Sequence, residues 1–132
     1  PRSSLSDDRR QRQMCIRDRA TATAAVVPSL YEGFSIPAIE ALSCGAPLIA
    51  TTGGALPEVA GPHLETSLAV PPGDSDALAE QIKFAFDNPE VCARIAAAGR
   101  RRVIEKWSWR ESAMTTADHC RALLAEWHEV GN

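Results

Sequence analysis

The chain has 132 residues, 45% hydrophobic and 23% charged, which suits one compact domain or one lobe of a larger enzyme and excludes two full lobes. No apolar run approaches the roughly 20 residues that span a bilayer, and the N-terminus lacks the charged-then-apolar order of a secretory signal. The net charge of -3 is uneven: six arginines face three aspartates in residues 1–19, while Ala20 to Asn132 hold 8 basic and 14 acidic residues, an acidic body that argues against nucleic acid as a partner.

Residues 1–19, "PRSSLSDDRRQRQMCIRDR", show no sustained apolar period and read as a disordered, solvated tail. "TATAAVVPS", Thr21 to Ser29, is a β-branched and small-residue run closed by Pro28, and predicts a buried strand. A loop follows, then a helix. Ser35 is its expected N-cap, and Pro37 lies in the first turn, where a missing N–H breaks no intrahelical bond. Gly45 supplies the left-handed residue past its end. "PLIAT" predicts a second strand, "TGGALPEVAG" a glycine-rich loop with a short helical turn at Pro57 to Val59, and "SLAVPP" a third strand. Strand, helix, strand, turn, strand implies parallel pairing and an α/β fold.

From Asp74 or Ser75 an amphipathic helix carries Leu78, Ile82 and Phe86 on one face until Asn88 and Pro89 break it. A second helix runs from about Pro89 to Lys106, with Val91, Ile95, Ala98 and Arg102 at helical spacing, and a third from about Ser108 to Glu129. All three are expected to cover the sheet. Trp107 and Trp109 lie at the break between the last two helices, with Ser108 as N-cap; core anchoring is the plainer reading and sugar stacking the alternative. Arg100, Arg101 and Arg102 read as a solvated basic run, and His63, His119 and His128 as structural or exposed. Cys15, Cys44, Cys92 and Cys120 lack the close spacing of a zinc or redox motif; they read as reduced thiols, three of them buried, in a cytoplasmic protein.

"SLYEGFSIPAIEALSCGAP" places Glu32 and Glu40 on either side of a helix N-terminus. Such a terminus at the end of a parallel strand presents unpaired N–H groups and about half a positive charge, so it favours anions. Gly33 lets a ligand approach, and the amides of Gly33, Phe34 and Ser35 are placed to cradle a phosphate. An ionised carboxylate only accepts hydrogen bonds, which matches vicinal hydroxyls. Glu40 lies about five residues into the helix, roughly 7 Å along its axis, about the distance from a phosphate to the diol of its ribose. The pattern suggests a nucleotide sugar, with Glu40 on the ribose, the loop amides on the diphosphate and Glu32 on the sugar. A glycosidase pair would face one scissile bond, which nothing in the spacing selects, and a metal site would want more ligands nearby. Gly53 and Gly54 serve a tight turn or a ligand's approach; the turn is the plainer reading.

"EGFSIPAIEALSCGAPLIAT" resembles the E-x7-E signature of the group 1, family 4 glycosyltransferases, retaining enzymes of the GT-B fold, and the likeness continues through "GGALPEVAG", "LAVPPGDSDALAEQI" and "WSWRESA", from about Val26 to Leu124. The resemblance implies a partial Rossmann-like C-terminal lobe over residues 20–132, a short parallel sheet with covering helices and one sheet edge left open. It implies that Glu32 is the catalytic-site glutamate on the donor-sugar hydroxyls, that Gly33, Phe34 and Ser35 meet sugar and diphosphate, that Glu40 binds ribose, and that Ile36 packs near ribose and base. Ser35 stands where the family often has Gly, which bears on sugar preference. The donor is a nucleotide-diphosphate sugar, with neither metal nor other cofactor. The acceptor lobe and the phosphate-binding basic pair lie upstream in the family, and any peripheral membrane contact belongs to the full-length protein. The isolated chain is expected to bind donor weakly and turn over nothing; the alternatives are a non-catalytic nucleotide-sugar-binding or assembly module and, less in keeping with the motifs, an epimerase of related fold. "RRQRQMCIRDR" resembles translated sequencing-adapter read-through, which implies that residues 1–19 are not native and that the protein continues upstream.

Overall fold

The computed structural model describes residue 13 and residues 15–130, with side chains to Trp127. β1 (Ala25–Val27), β2 (Leu48–Thr51) and β3 (Leu68–Val70) form one parallel sheet in that order. Ala25 pairs with Leu48 and Val27 with Ala50, and on the other side Ile49 pairs with Leu68 and Thr51 with Val70. Among the described residues neither β1 nor β3 pairs with a fourth strand.

Residues 15–21 are helical (α1), followed by α2 (Ile36–Ser43), α3 (Leu56–Ala60), α4 (Ser75–Asp87), α5 (Pro89–Lys106) and α6 (Trp109–Val130). Successive side chains of β2 point to opposite faces, so the sheet has apolar cover on both. Leu48 and Ala50 join Val27, Ala38, Leu42, Leu56, Val59 and Val103 in one cluster, while Ile49 joins Leu68, Val70, Ala85, Cys92 and Ile95 in the other. α5 serves both clusters, Cys92 and Ile95 in one and Val103 in the other. Fully burying a Leu or Ile of this kind stabilises by about 1.5–3 kcal/mol.

The local signals translate directly. Ser35 Oγ accepts from the Ala38 amide at 3.4 Å, and Pro37 lies in the first turn of α2. Gly45 has φ +77, its amide donates to Leu42 O at 2.9 Å, and Ala46 donates to Ala41 O at 3.1 Å, the paired bonds of a Schellman stop. Asp74 caps α4 through Ala77, and Ser108 caps α6 through Glu111.

Several expectations are corrected. The helix at residues 15–21 enters the segment read as unstructured and shortens the first strand to three residues; residues 1–12 and 14, within the expected tail, lie outside the described residues. Phe86 is 66% exposed, and Ala85 is buried in its place. At about 100° per residue, position 85 returns to the azimuth of Leu78, whereas position 86 lies about 80° further round. For the same reason α5 turns Cys92, Ile95, Ala96, Gly99 and Val103 inward, a face rotated from the predicted one. A Cβ on Gly99 would sit 2.6 Å from Leu42 Cδ2, so this glycine lets α5 settle on α2.

α6 does not cover the sheet. Its side chains from Trp109 to Trp127 are exposed apart from a half-buried Ala117, and Trp109, expected as a core anchor, is 92% exposed. Of the four free thiols only Cys92 is buried; Cys44 is half-buried, and Cys15 and Cys120 are exposed. Arg100 and Arg102 are not simply solvated. Arg100 Nε donates to Ser43 O at 3.2 Å and Arg102 Nη2 to Glu58 O at 2.8 Å, so α5 supplies cations to the carbonyl ends of α2 and α3. His63 is exposed and structural, its Nδ1 accepting the Ala69 amide at 2.9 Å; the side chain of His128 lies outside the described residues.

Candidate functional site

β1 ends at Val27, and residues 28–35 lead from the C-terminal end of that strand into the N-terminus of α2. The loop is held from below. Thr51 Oγ1 donates to Ser29 O, Ser29 Oγ donates to Glu32 Oε1 at 2.7 Å, and the Ala55 amide donates to Glu32 O at 2.8 Å.

Gly53 and Gly54 form the floor of this loop, a role beyond the turn read from the sequence. A Cβ on Gly53 would meet Leu30 O at 2.3 Å, and one on Gly54, where φ is +64, would meet Glu32 O at 2.2 Å. Only glycines allow the two backbones to approach so closely. A Gly-Gly pair directly after a buried strand was the available signal for it.

Gly33 differs from these two. Its φ lies outside the left-handed range and a Cβ there would touch nothing within 4 Å, so neither strain nor packing inside the chain calls for glycine. Among the described residues no protein acceptor takes the amide protons of Gly33, Phe34 or Ser35. These donors surround the start of α2, where the macrodipole adds positive potential. Ser35 itself is wholly buried and turned into its own helix, so its hydroxyl is committed to the cap.

Glu32 is half-buried on one side of these amides. Glu40, the fifth residue of α2, is exposed on the helix and pairs with Arg19 Nη2 at 2.8 Å. Phe34 and Ile36 are 47% and 53% exposed, and Phe34 meets Trp107 edge-on with ring centroids 5.3 Å apart. The six predicted site residues therefore lie together in one stretch from the loop to the second turn of α2. Ser29, Gly53, Gly54 and Trp107 support that stretch; Ser29 was not singled out from sequence, and for the other three the support of the loop differs from the turn, ligand-approach, core or stacking roles read there. Among the described residues no group of three or more His, Cys, Asp or Glu side chains is placed to hold a metal ion, and no helix is long and apolar enough to cross a membrane.

Residues 14–102 match the family described as Glycosyl transferases group 1. The chain belongs to this family. The matched span starts at residue 14, ahead of the change in composition at Ala20. This group 1 chain is 45% identical over 97 residues to the MMP alpha-(1->4)-mannosyltransferase of Mycolicibacterium hassiacum, covering 74% of this chain and 24% of that protein. It is 36% identical over 96 residues to a glycogen synthase of Mycobacterium tuberculosis, covering 73% and 23% respectively. Sucrose-phosphate synthase from Thermosynechococcus elongatus superposes with a TM-score of 0.76 at 30% identity, over 91% of this chain and 35% of that one. Anabaena HepE in complex with UDP also gives 0.76, at 22% identity over 79% and 29% of the two chains, a likeness of fold. These neighbours have the GT-B architecture, so the three-stranded sheet and its helices are part of a GT-B lobe. The group 1 chain spans about a quarter of the length of the curated relatives it matches.

Proposed function

We propose that this chain is the donor-binding part of a retaining, family 4 glycosyltransferase that moves a hexosyl unit from a nucleoside diphosphate sugar to an acceptor. The observation that carries the reading is the pair of unpartnered, exposed amides at Gly33 and Phe34, just ahead of the buried cap Ser35 at the N-terminus of α2 and flanked by Glu32 and Glu40. In this reading the amides and the helix dipole hold the diphosphate and stabilise the charge it gains as leaving group. Glu40 accepts from the ribose diol, Glu32 from hydroxyls of the transferred sugar, and Ile36 packs near ribose and base. Gly33 leaves open the space that the diphosphate sugar fills.

Two carboxylates that read hydroxyls do not form an acid and base pair; their contribution is to position the donor. The leaving diphosphate needs no metal in this scheme, because backbone dipoles and an upstream basic pair supply the positive potential. The upstream lobe would bring acceptor and basic pair, so the 132-residue chain alone binds donor weakly and turns over nothing. Relatives named for mannosyl transfer and for glycogen synthesis leave the transferred sugar open.

Titration of the chain with UDP-glucose and GDP-mannose, followed by calorimetry or amide shifts, tests the reading. Binding of at least one, with shifts centred on Gly33 to Ser35 and weakened about tenfold by Glu40→Gln, is the expected result. Shifts scattered elsewhere, or no binding at millimolar concentration, would remove the basis for it.

A further inference from the structure

We infer that Trp107 is a positioning residue for the donor loop, acting through Phe34; this rests on the nucleotide-sugar reading of the same site. Phe34 is the one aromatic side chain of that loop between Glu32 and Ser35, and its amide, with that of Gly33, lacks a protein acceptor among the described residues and belongs to an exposed residue. It is 47% exposed, and Gly33 beside it has no side chain to pack, so little within the loop holds the ring. The support comes from the far end of α5. Trp107 ends that helix, its amide bonded to Val103 O at 2.8 Å, and its half-buried indole packs against the cluster that holds Val27, Ala38, Leu42 and Val103.

From that anchored position the indole meets Phe34 at an interplanar angle of 68°, an edge-to-face pair, and the only aromatic pair among the described residues. Edge-to-face contact has an orientation preference that aliphatic packing lacks, so it fixes the direction of the ring and of the Phe34 backbone. Ser35 is pinned on the other side as the buried N-cap. Trp107 and the cap thus hold the open amides from two directions. The indole N–H finds no acceptor among the described residues, so the ring is retained for its shape and its aromatic face, and phenylalanine should substitute for it.

The test uses the 132-residue chain and the variants W107L, W107F, F34L and F34L/W107L, with UDP-glucose and GDP-mannose as probes. Without ligand, W107L should shift or broaden the amide resonances of Gly33, Phe34 and Ser35, and W107F should restore them. With whichever probe binds, W107L should weaken affinity about threefold to tenfold, W107F should recover it, and the double variant should bind no more weakly than F34L alone. F34L keeps the test independent of folding, because Phe34 is a partly exposed loop residue; it should move the Trp107 indole resonance. Loop resonances that W107L leaves in place, or losses that multiply in the double variant, overturn the inference while leaving the functional reading intact. A wild-type chain that binds neither probe overturns both.

Discussion

Ser29 Oγ donates a hydrogen bond to Glu32 Oε1 at 2.7 Å, and Ser29 is itself tied to the sheet through its carbonyl and Thr51. The carboxylate proposed to read the sugar is therefore aimed before any ligand arrives. A hydrogen bond to a charged acceptor is worth about 1.5–3 kcal/mol when shielded and less where, as here, it is only part-buried. Ser29→Ala should cost about 1 kcal/mol of sugar-nucleotide affinity, roughly fivefold, and leave affinity for UDP or GDP alone unchanged. Parallel titrations with nucleotide and sugar nucleotide check this; equal losses for both would place the role of Ser29 elsewhere.

The glycines of this region separate into two kinds. Gly54→Ala would drive a Cβ into Glu32 O at a position whose φ of +64 strains any side chain, so it should destabilise by about 1–3 kcal/mol and disturb the loop at once. Gly33→Ala meets no protein atom within 4 Å and should leave stability within about 0.5 kcal/mol. Its methyl would stand in the space assigned to donor, and affinity should fall tenfold or more. Thermal melts beside titrations distinguish the two; a Gly33→Ala chain that binds normally would mean that no ligand comes so close there.

Features encoded within a few residues were legible in the sequence. Ser35, Gly45, Asp74 and Ser108 mark helix ends through bonds to neighbours three positions away, and Pro37 by a missing N–H in the first turn, so each could be read locally. The six proposed site residues share one such stretch, because the pattern that suggested them is itself local. What escaped depends on contacts between distant segments. Gly53 and Gly54 matter because Leu30 and Glu32 lie above them, Trp107 because Phe34 meets it, and Arg102 because it reaches Glu58 O. The phase of α4 and α5 was lost for a related reason: alanine and glycine at positions 85 and 99 carry little hydropathy signal, yet Ala85 is buried and Gly99 sits where α5 meets Leu42 and the Thr66 carbonyl.

Cys92 makes a prediction about pH. Burial pushes its thiol above the ordinary value of 9.0, because desolvation disfavours the thiolate. With the folded value raised, stability from the neutral thiol is fully present below pH 9.0 and is lost as pH rises past 9.0 towards the folded value. Denaturant unfolding between pH 8 and pH 11 should show this decline, and Cys92→Val should flatten it. Thiol reagents should modify exposed Cys15 and Cys120 quickly, half-buried Cys44 more slowly, and Cys92 only on unfolding. Fast labelling of Cys92 in the folded chain would contradict the packing of α5 on the sheet.

Arg19 and Glu40 pair at 2.8 Å with side chains 32% and 49% exposed, so the proposed ribose reader is engaged by a cation from α1. An exposed pair of this kind contributes about 0.2–1 kcal/mol and weakens with salt. If the guanidinium competes with the diol, Arg19→Ala should raise nucleotide affinity by up to about fivefold, and the gain should shrink as salt increases. If Arg19 instead holds Glu40 in its binding orientation or touches the diphosphate, the same variant should weaken binding. Competition is favoured because an ion-paired carboxylate has fewer acceptor sites left for two hydroxyl donors. Glu40→Gln in the Arg19→Ala background completes the cycle: it should lose more affinity than Glu40→Gln alone, since only there does the carboxylate start free. Titration of the four chains with UDP decides between the two roles.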